Sequence, residues 1–294
     1  MIDYNDYQYF DSHVHFFPKK LLDSIWDYFE NNYWPIYLKN SAEDLALKLI
    51  TEFKIKNFLV LNYAHKPGIA ASMNEWTHSF CSSSQLKNAA IPFGTIHPGD
   101  KNIIEEMDKI FGEFNFAGVK LQLMVTDFFI HDERMKAVYN KIIEYNRVLL
   151  VHVGTGPTYT NYHPGERLFT PFTGVKHLER FMKAYPEMKV IVPHMGAEEY
   201  DEMWPLVEIY PNLYFDTAMI GARNNTAFDD EMKDISNEQL YKMSDRILFG
   251  SDFPNIPYDY KNSILGWLDR KMEPSFYEKI FYKNAEKIFH EFIK

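Results

Sequence analysis

The feature that most constrains the fold is an alternation, along the whole chain, of short apolar runs and longer stretches with helical spacing. Eight runs have the length and the β-branched content of buried strands. They lie at 8–14, 57–63, 90–97, 116–123, 148–154, 189–195, 212–217 and 246–252. Such an alternation is typical of parallel strands joined by helical crossovers.

Helical spacing is found between the runs, for example at 101–113, 132–145, 174–185 and 236–244, and again in terminal helices at about 263–293. Eight strands in 294 residues favour a closed (β/α)8 barrel over an open doubly wound sheet. The first strand is also not followed by a glycine-rich dinucleotide turn. We therefore predict an α/β protein in which residues 1–294 form a single TIM-barrel domain.

Charge and composition limit the partners of this chain. Its 31 Lys+Arg and 41 Asp+Glu give a net charge of −10, which argues against nucleic acid as a partner. We find no apolar stretch near the length of a membrane span and no signal peptide at the N-terminus. The single cysteine, Cys81, excludes an intrachain disulfide. We predict a cytoplasmic protein that acts on a small molecule, with neither a membrane nor a nucleic-acid partner.

Two histidines lie near the end of the first predicted strand. Side chains alternate along a strand, so His13 and His15 point to the same side. Two imidazoles at this spacing can bind one cation. Taken alone, the pair is weak evidence for a metal site, and two partly buried histidines with hydrogen-bonded partners are the more usual arrangement.

Three other predicted strands end in a polar group. His152 ends strand five, His194 ends strand six and Asp252 ends strand eight. A polar group in an apolar strand is costly unless it has partners. At the C-terminal mouth of a barrel these groups converge with the two histidines of strand one, and a shared metal ion satisfies all five. The sequence therefore predicts a metal site at that mouth.

The segments FDSHVHFFP, VHVG, PHMG and LFGSDFP, in this order, resemble the amidohydrolase superfamily. The resemblance is closest to the amidohydrolase-related branch that includes aminocarboxymuconate-semialdehyde decarboxylase. It extends over essentially the whole chain and includes the terminal FYKNAEKIF. The motifs are specific to the superfamily but not to a substrate. A homodimer is suggested by this resemblance alone.

The resemblance implies a role for each matching residue. His13, His15, His152 and Asp252 would bind one divalent ion, with Zn²⁺ the expected metal. The remaining position would hold a water molecule whose pKa is lowered toward neutrality. Asp252 would also accept the proton of that water as general base. His194 would polarise the substrate or carry a proton.

Lys120, in the predicted strand four, has three interpretations. In some branches of the superfamily a lysine on this strand is carboxylated and bridges two metals. It could instead supply a cation for a substrate carboxylate, or neutralise an acidic mouth. We expect one metal ion and therefore place Lys120 among the substrate-binding candidates.

Other candidates have weaker support. Asp11 would either accept a hydrogen bond from a ligand imidazole or cap the start of its strand. His97 and Arg223 follow predicted strands and could contact the substrate. The loop 156–164, rich in turn-forming and aromatic residues, could act as a lid.

Two enzymatic functions and one non-catalytic function are compatible with these residues. We predict first a metal-dependent hydrolase that uses activated water on an amide, ester or lactone of a small, carboxylate-bearing substrate. The alternative is a metal-dependent non-oxidative decarboxylase of a small unsaturated or aromatic acid. A barrel that keeps its metal for stability alone is disfavoured, because the ligand set leaves a coordination position open.

Overall fold

Eight parallel strands form one sheet in chain order. In this computed structural model, which describes residues 3–154, 171–225 and 235–294, the strands have the following bounds. They are Tyr9–Val14 (β1), Ile55–Val60 (β2), Ala90–Gly94 (β3), Gly118–Gln122 (β4), Val148–His152 (β5), Lys189–Val192 (β6), Leu213–Asp216 (β7) and Ile247–Leu248 (β8). The Ser12 N–H donates to the Phe249 carbonyl oxygen at 2.8 Å, and Val14 forms a bridge with Phe253. These contacts join the two ends of the sheet, and the predicted α/β barrel is confirmed.

Helices alternate with these strands. In the described part of the chain they are Lys19–Asn32 (α1), Ala42–Thr51 (α2), Ala70–Cys81 (α3), Ile103–Asp108 (α4), Leu123–Thr126 (α5), Lys136–Glu144 (α6), Val175–Ala184 (α7), Tyr200–Met203 (α8), Asn237–Met243 (α9), Asn262–Leu268 (α10), Pro274–Glu278 (α11) and Asn284–Phe289 (α12). Local sequence explains some of their starts. For example, the Ser41 hydroxyl accepts the N–H of Asp44 at 3.1 Å and so caps α2. Within the described segments, no helix has both the length and the apolar character needed to span a bilayer.

Seven of the eight strands end earlier than their apolar runs predict, and the differences at β6 and β8 affect the site. The runs extend to 195 and 252, whereas β6 ends at Val192 and β8 at Leu248. His194 and Asp252 have φ angles of +56° and +69°. This left-handed conformation cannot continue a strand. Both side chains are therefore presented from turns just beyond the strand ends.

The C-terminal helix packs on residues of the barrel strands. Phe289, at the end of α12, is fully buried. Its ring stacks on Phe10 of β1 at a centroid distance of 5.6 Å and meets Phe93 of β3 edge-on at 5.9 Å. Phe289 thus links the end of the chain to two strands far away in sequence.

Phe289→Ala is expected to reduce the free energy of unfolding by about 3 kcal/mol, because it leaves a cavity between two fully buried rings. Urea denaturation followed by circular dichroism measures this loss. Phe292→Ala is the matched control, since Phe292 is only partly buried and should cost less. Equal losses of unfolding free energy in the two variants would contradict the conclusion that the packing of Phe289 stabilises the barrel.

Candidate metal centre

Three of the predicted metal ligands meet where β1 lies beside the turn that follows β8. The Nε2 atoms of His13 and His15 are 3.1 Å apart. They lie 3.3 and 3.1 Å from Oδ1 of Asp252. Backbone bonds hold this arrangement: the Asp252 N–H donates to the His13 carbonyl at 2.9 Å, and the His15 N–H donates to that of Phe253 at 2.7 Å. In the described chain, this is the one group of three such residues whose ligand atoms lie close enough to hold an ion.

The second nitrogen of each imidazole is already bound. His13 Nδ1 is 2.7 Å from Oδ2 of Asp216, and His15 Nδ1 is 2.8 Å from the carbonyl oxygen of Leu61. A carbonyl oxygen only accepts, so Nδ1 of His15 carries the proton, and the carboxylate favours the same tautomer in His13. Both Nε2 lone pairs then face the Asp252 carboxylate.

The charge states of the cluster suit a cation. Burial, and next the charge of Lys120, lower the pKa of His13 well below 6.5, so this imidazole is neutral. Burial raises the pKa of Asp252, but the hydrogen bond and the charge that the neighbouring imidazoles supply in their protonated form lower it more, and the net pKa lies below the usual 3.8. Two imidazole nitrogens and a carboxylate within reach of one point are a donor set that fits a divalent ion.

The other two predicted histidines form a row with His13. The ring of His194 is 5.5 Å from that of His13, and the ring of His152 is 4.8 Å from that of His194. His194 Nδ1 is 2.9 Å from the carbonyl oxygen of Ala218, so it donates there and leaves Nε2 free to accept. His152 lies outside the three-residue group, and its role as fourth ligand stays a prediction.

Asp216, which the sequence analysis missed, forms hydrogen bonds to two residues of this row, His13 and His194. Its fully buried carboxylate accepts Nδ1–H of His13 and the backbone N–H groups of His194 and Ala218, at 2.7, 3.2 and 2.9 Å. Burial raises its pKa to about 6, although the nearby His194 and backbone donors oppose this. Asp216 ends the apolar run of β7, so the pattern that singled out His152 could also have found it.

Asp11 takes neither of its predicted roles. Its carboxylate accepts the Ser251 hydroxyl at 2.6 Å, the Tyr260 hydroxyl at 2.7 Å, and the backbone N–H groups of His13 and Ser251 at 3.0 Å each. The pairing of β1 with β2 shifts register between Asp11 and Val14, which breaks the side-chain alternation assumed in the prediction. Asp11 therefore fixes the turn after β8 instead of orienting an imidazole.

Lys120 is fully buried inside the barrel, close to the histidines. Lys120 pairs with Leu150 in the β4–β5 ladder, and Gln122 pairs with His152 two residues further along. Because side chains two residues apart point to the same side of a sheet, Lys120 and His152 share a side. Its Nζ has no hydrogen-bond partner in the described residues. Burial lowers its pKa to about 8, although Asp216 and Asp252 oppose this. Lys120 thus places an amino group without a hydrogen-bond partner in the described residues near the cluster.

The two remaining substrate-binding candidates, His97 and Arg223, have hydrogen-bond partners of their own. The guanidinium of Arg223 makes two hydrogen bonds to Asp269, at 2.8 and 2.6 Å, and the side chain is 41% exposed. The Arg223 guanidinium, which we expected to contact the substrate, is therefore paired with Asp269. His97 is partly buried, and its Nδ1 accepts the Gly99 N–H at 3.0 Å. The predicted lid at 156–164 lies outside the described residues.

Sequence comparison identifies one family. The model of a family described as amidohydrolase matches residues 10–290 of the chain. No curated protein matches the sequence.

Several solved structures have a similar fold. A TIM-barrel protein from Bordetella bronchiseptica aligns with a TM-score of 0.71 and 18% identity, covering 98% of this chain and 100% of that one. The 2,6-dihydroxybenzoate decarboxylase from Rhizobium aligns with a TM-score of 0.68 and 16% identity, covering 97% and 99%. The 5-carboxyvanillate decarboxylase from Novosphingobium aromaticivorans, solved with manganese and 4-hydroxy-3-methoxy-5-nitrobenzoic acid, has a TM-score of 0.69 and 15% identity, covering 97% and 96%. At these identities the likeness extends to the fold alone.

Proposed function

The chain belongs to the amidohydrolase family, and from this premise we propose that it is a metal-dependent decarboxylase of a small aromatic or unsaturated carboxylic acid. The observation that carries the proposal is Lys120, a buried cation without a hydrogen-bond partner among the described residues, placed near the metal-binding cluster. Two similar structures are decarboxylases of aromatic acids, which supports this alternative over the hydrolase that the sequence placed first.

His13, His15 and Asp252, joined by His152, would hold one divalent ion. When bound, such an ion acts as a Lewis acid that polarises a substrate oxygen. Imidazole and carboxylate ligands suit both Zn²⁺ and Mn²⁺. Zinc remains our expectation from the sequence, and manganese is the metal named for the similar 5-carboxyvanillate decarboxylase.

Lys120 would bind the carboxylate of the substrate. A buried ammonium group without a partner is costly, and an anionic ligand removes that cost. As carbon dioxide leaves, the negative charge moves from the carboxylate to the carbon, so this contact would serve to bind and orient the acid. Its position inside the barrel would orient the acid with its carboxylate toward the interior.

His194 would deliver the proton that replaces the carboxylate on the substrate carbon. Breaking the bond to the carboxylate releases carbon dioxide and leaves an electron pair on the carbon, which must then take up one proton. Because His194 Nδ1 is held by the carbonyl of Ala218, only Nε2 is free to carry a second proton and deliver it. In the hydrolytic alternative, Asp252 would instead take a proton from water.

The test is a panel of hydroxylated benzoates, unsaturated acids and lactones, incubated with protein loaded with Zn²⁺ or Mn²⁺. We expect release of carbon dioxide from at least one acid. Opening of a lactone without gas would identify a hydrolase and overturn the proposal.

Lys120→Met should raise the KM of the accepted acid about 10–100-fold, because a charge-assisted hydrogen bond contributes about 1.5–3 kcal/mol. Steady-state kinetics measures the change. Lys189→Met is the control, since Lys189 also lies in a barrel strand, β6, but at its first residue. An unchanged KM in Lys120→Met would refute the carboxylate-binding role.

A further inference from the structure

Gln122 and His152 face each other across the β4–β5 ladder, where they form the last residue pair. The amide nitrogen of Gln122 lies 3.2 Å from Nδ1 of His152. Two atoms at this contact are buried without a hydrogen-bond partner in the described structure: Oε1 of Gln122 and Nε2 of His152. A buried polar atom without a hydrogen bond lowers the stability of the folded state, so we expect both atoms to have a further partner.

A half-turn of the Gln122 amide changes what His152 can do. The amide oxygen and nitrogen have nearly the same shape, so the turn exchanges an acceptor for a donor without moving the backbone. With Oε1 facing the ring, Nδ1 of His152 must carry the proton and donate it. Nε2 then has a free lone pair.

His13 and His15 already have this arrangement. Each has Nδ1 bound to an oxygen, of Asp216 or of Leu61, and each directs Nε2 into the cluster. An acceptor on Nδ1 fixes the tautomer and the ring orientation of a metal-binding histidine. Gln122 is the one group that contacts Nδ1 of His152 in the described structure.

We propose that Gln122 is a positioning residue that turns its amide oxygen to Nδ1–H of His152 and thereby makes Nε2 of His152 a metal ligand beside His13, His15 and Asp252. The inference rests on the proposed metal centre but not on which reaction the protein catalyses. One rearrangement gives both of these atoms a partner: Nε2 gains the metal and Oε1 gains the ring proton, while the amide nitrogen takes the former position of Oε1.

The test measures Zn²⁺ affinity of the full chain by competition with a chelator, in the absence of substrate. Gln122→Met keeps the length of the side chain but removes the acceptor, and we expect about 10–100-fold weaker binding. Gln122→Glu can only accept at this contact, so its affinity should equal or exceed that of the wild type. Gln85→Met, at an exposed position, is the control and should bind like the wild type.

A second readout follows the tautomer directly. Long-range ¹H–¹⁵N NMR of the zinc-loaded wild type should show His152 protonated at Nδ1, with its signals identified by their loss in His152→Asn. A proton on Nε2, or wild-type affinity in Gln122→Met, would overturn the role of Gln122. Equal weakening in the Met and Glu variants would reduce Gln122 to a packing residue. If the wild type itself binds no zinc, the metal centre fails first, which is a different result.

Discussion

Asp252→Asn is expected to lower the rate of carbon dioxide release by roughly a thousandfold or more and to weaken zinc binding. Oδ1 of Asp252 lies within 3.3 Å of Nε2 of both His13 and His15, so it is the anionic member of the cluster. Asparagine keeps the shape but removes the charge. Two neutral imidazoles and an amide bind a divalent ion less tightly than a set that includes a carboxylate.

Asparagine is also the substitution that least disturbs the backbone at this position. Asp252 has a φ of +69°, and asparagine is among the few residues that accept the left-handed region readily. Asp127→Asn is the matched control, because Asp127 is exposed and has a φ of +49°. Turnover and zinc content are measured for both variants. An Asp252→Asn protein with stoichiometric zinc and near-normal turnover would remove Asp252 from the centre.

The barrel and the approximate position of the cluster could be predicted because each depends on short-range patterns. A run of about six apolar residues is enough to predict a strand. The spacing of His13 and His15 alone indicates that their side chains lie on the same side of it. A polar residue that ends an apolar strand is visible for the same reason. These signals brought His13, His15 and Asp252 to one place before any contact was known.

What the sequence could not provide are contacts between distant segments and local breaks in regularity. The register shift after Asp11 has no composition signal, and neither do the hydrogen bonds that its carboxylate accepts from Ser251 and Tyr260, about 240 residues away. Likewise, the pairing of Arg223 with Asp269 joins residues 46 positions apart. Asp216 was detectable from the end of β7, but its bond to His13 depends on the closure of the barrel.

His194→Asn separates catalysis from metal binding. The amide of asparagine can replace Nδ1–H as donor to the Ala218 carbonyl, while nothing replaces Nε2, the atom proposed to deliver the proton. We expect turnover to fall about 10²–10⁴-fold, the usual contribution of a general acid or base. Zinc content should remain at the wild-type level, because His194 is not among the four residues proposed to hold the ion.

Asparagine can also adopt the backbone conformation of His194, so the substitution should leave the turn intact. His194 has a φ of +56°, which asparagine tolerates, and its N–H can still donate to Asp216. His290→Asn, at an exposed position of the C-terminal segment, is the control and should leave both quantities unchanged. Parallel loss of zinc and turnover in His194→Asn would make His194 a ligand in place of a proton carrier. Normal turnover would assign the proton to another group. Only a low rate with full zinc supports separate roles, in which His13, His15, His152 and Asp252 hold the ion while His194 protonates the carbon from which carbon dioxide has left.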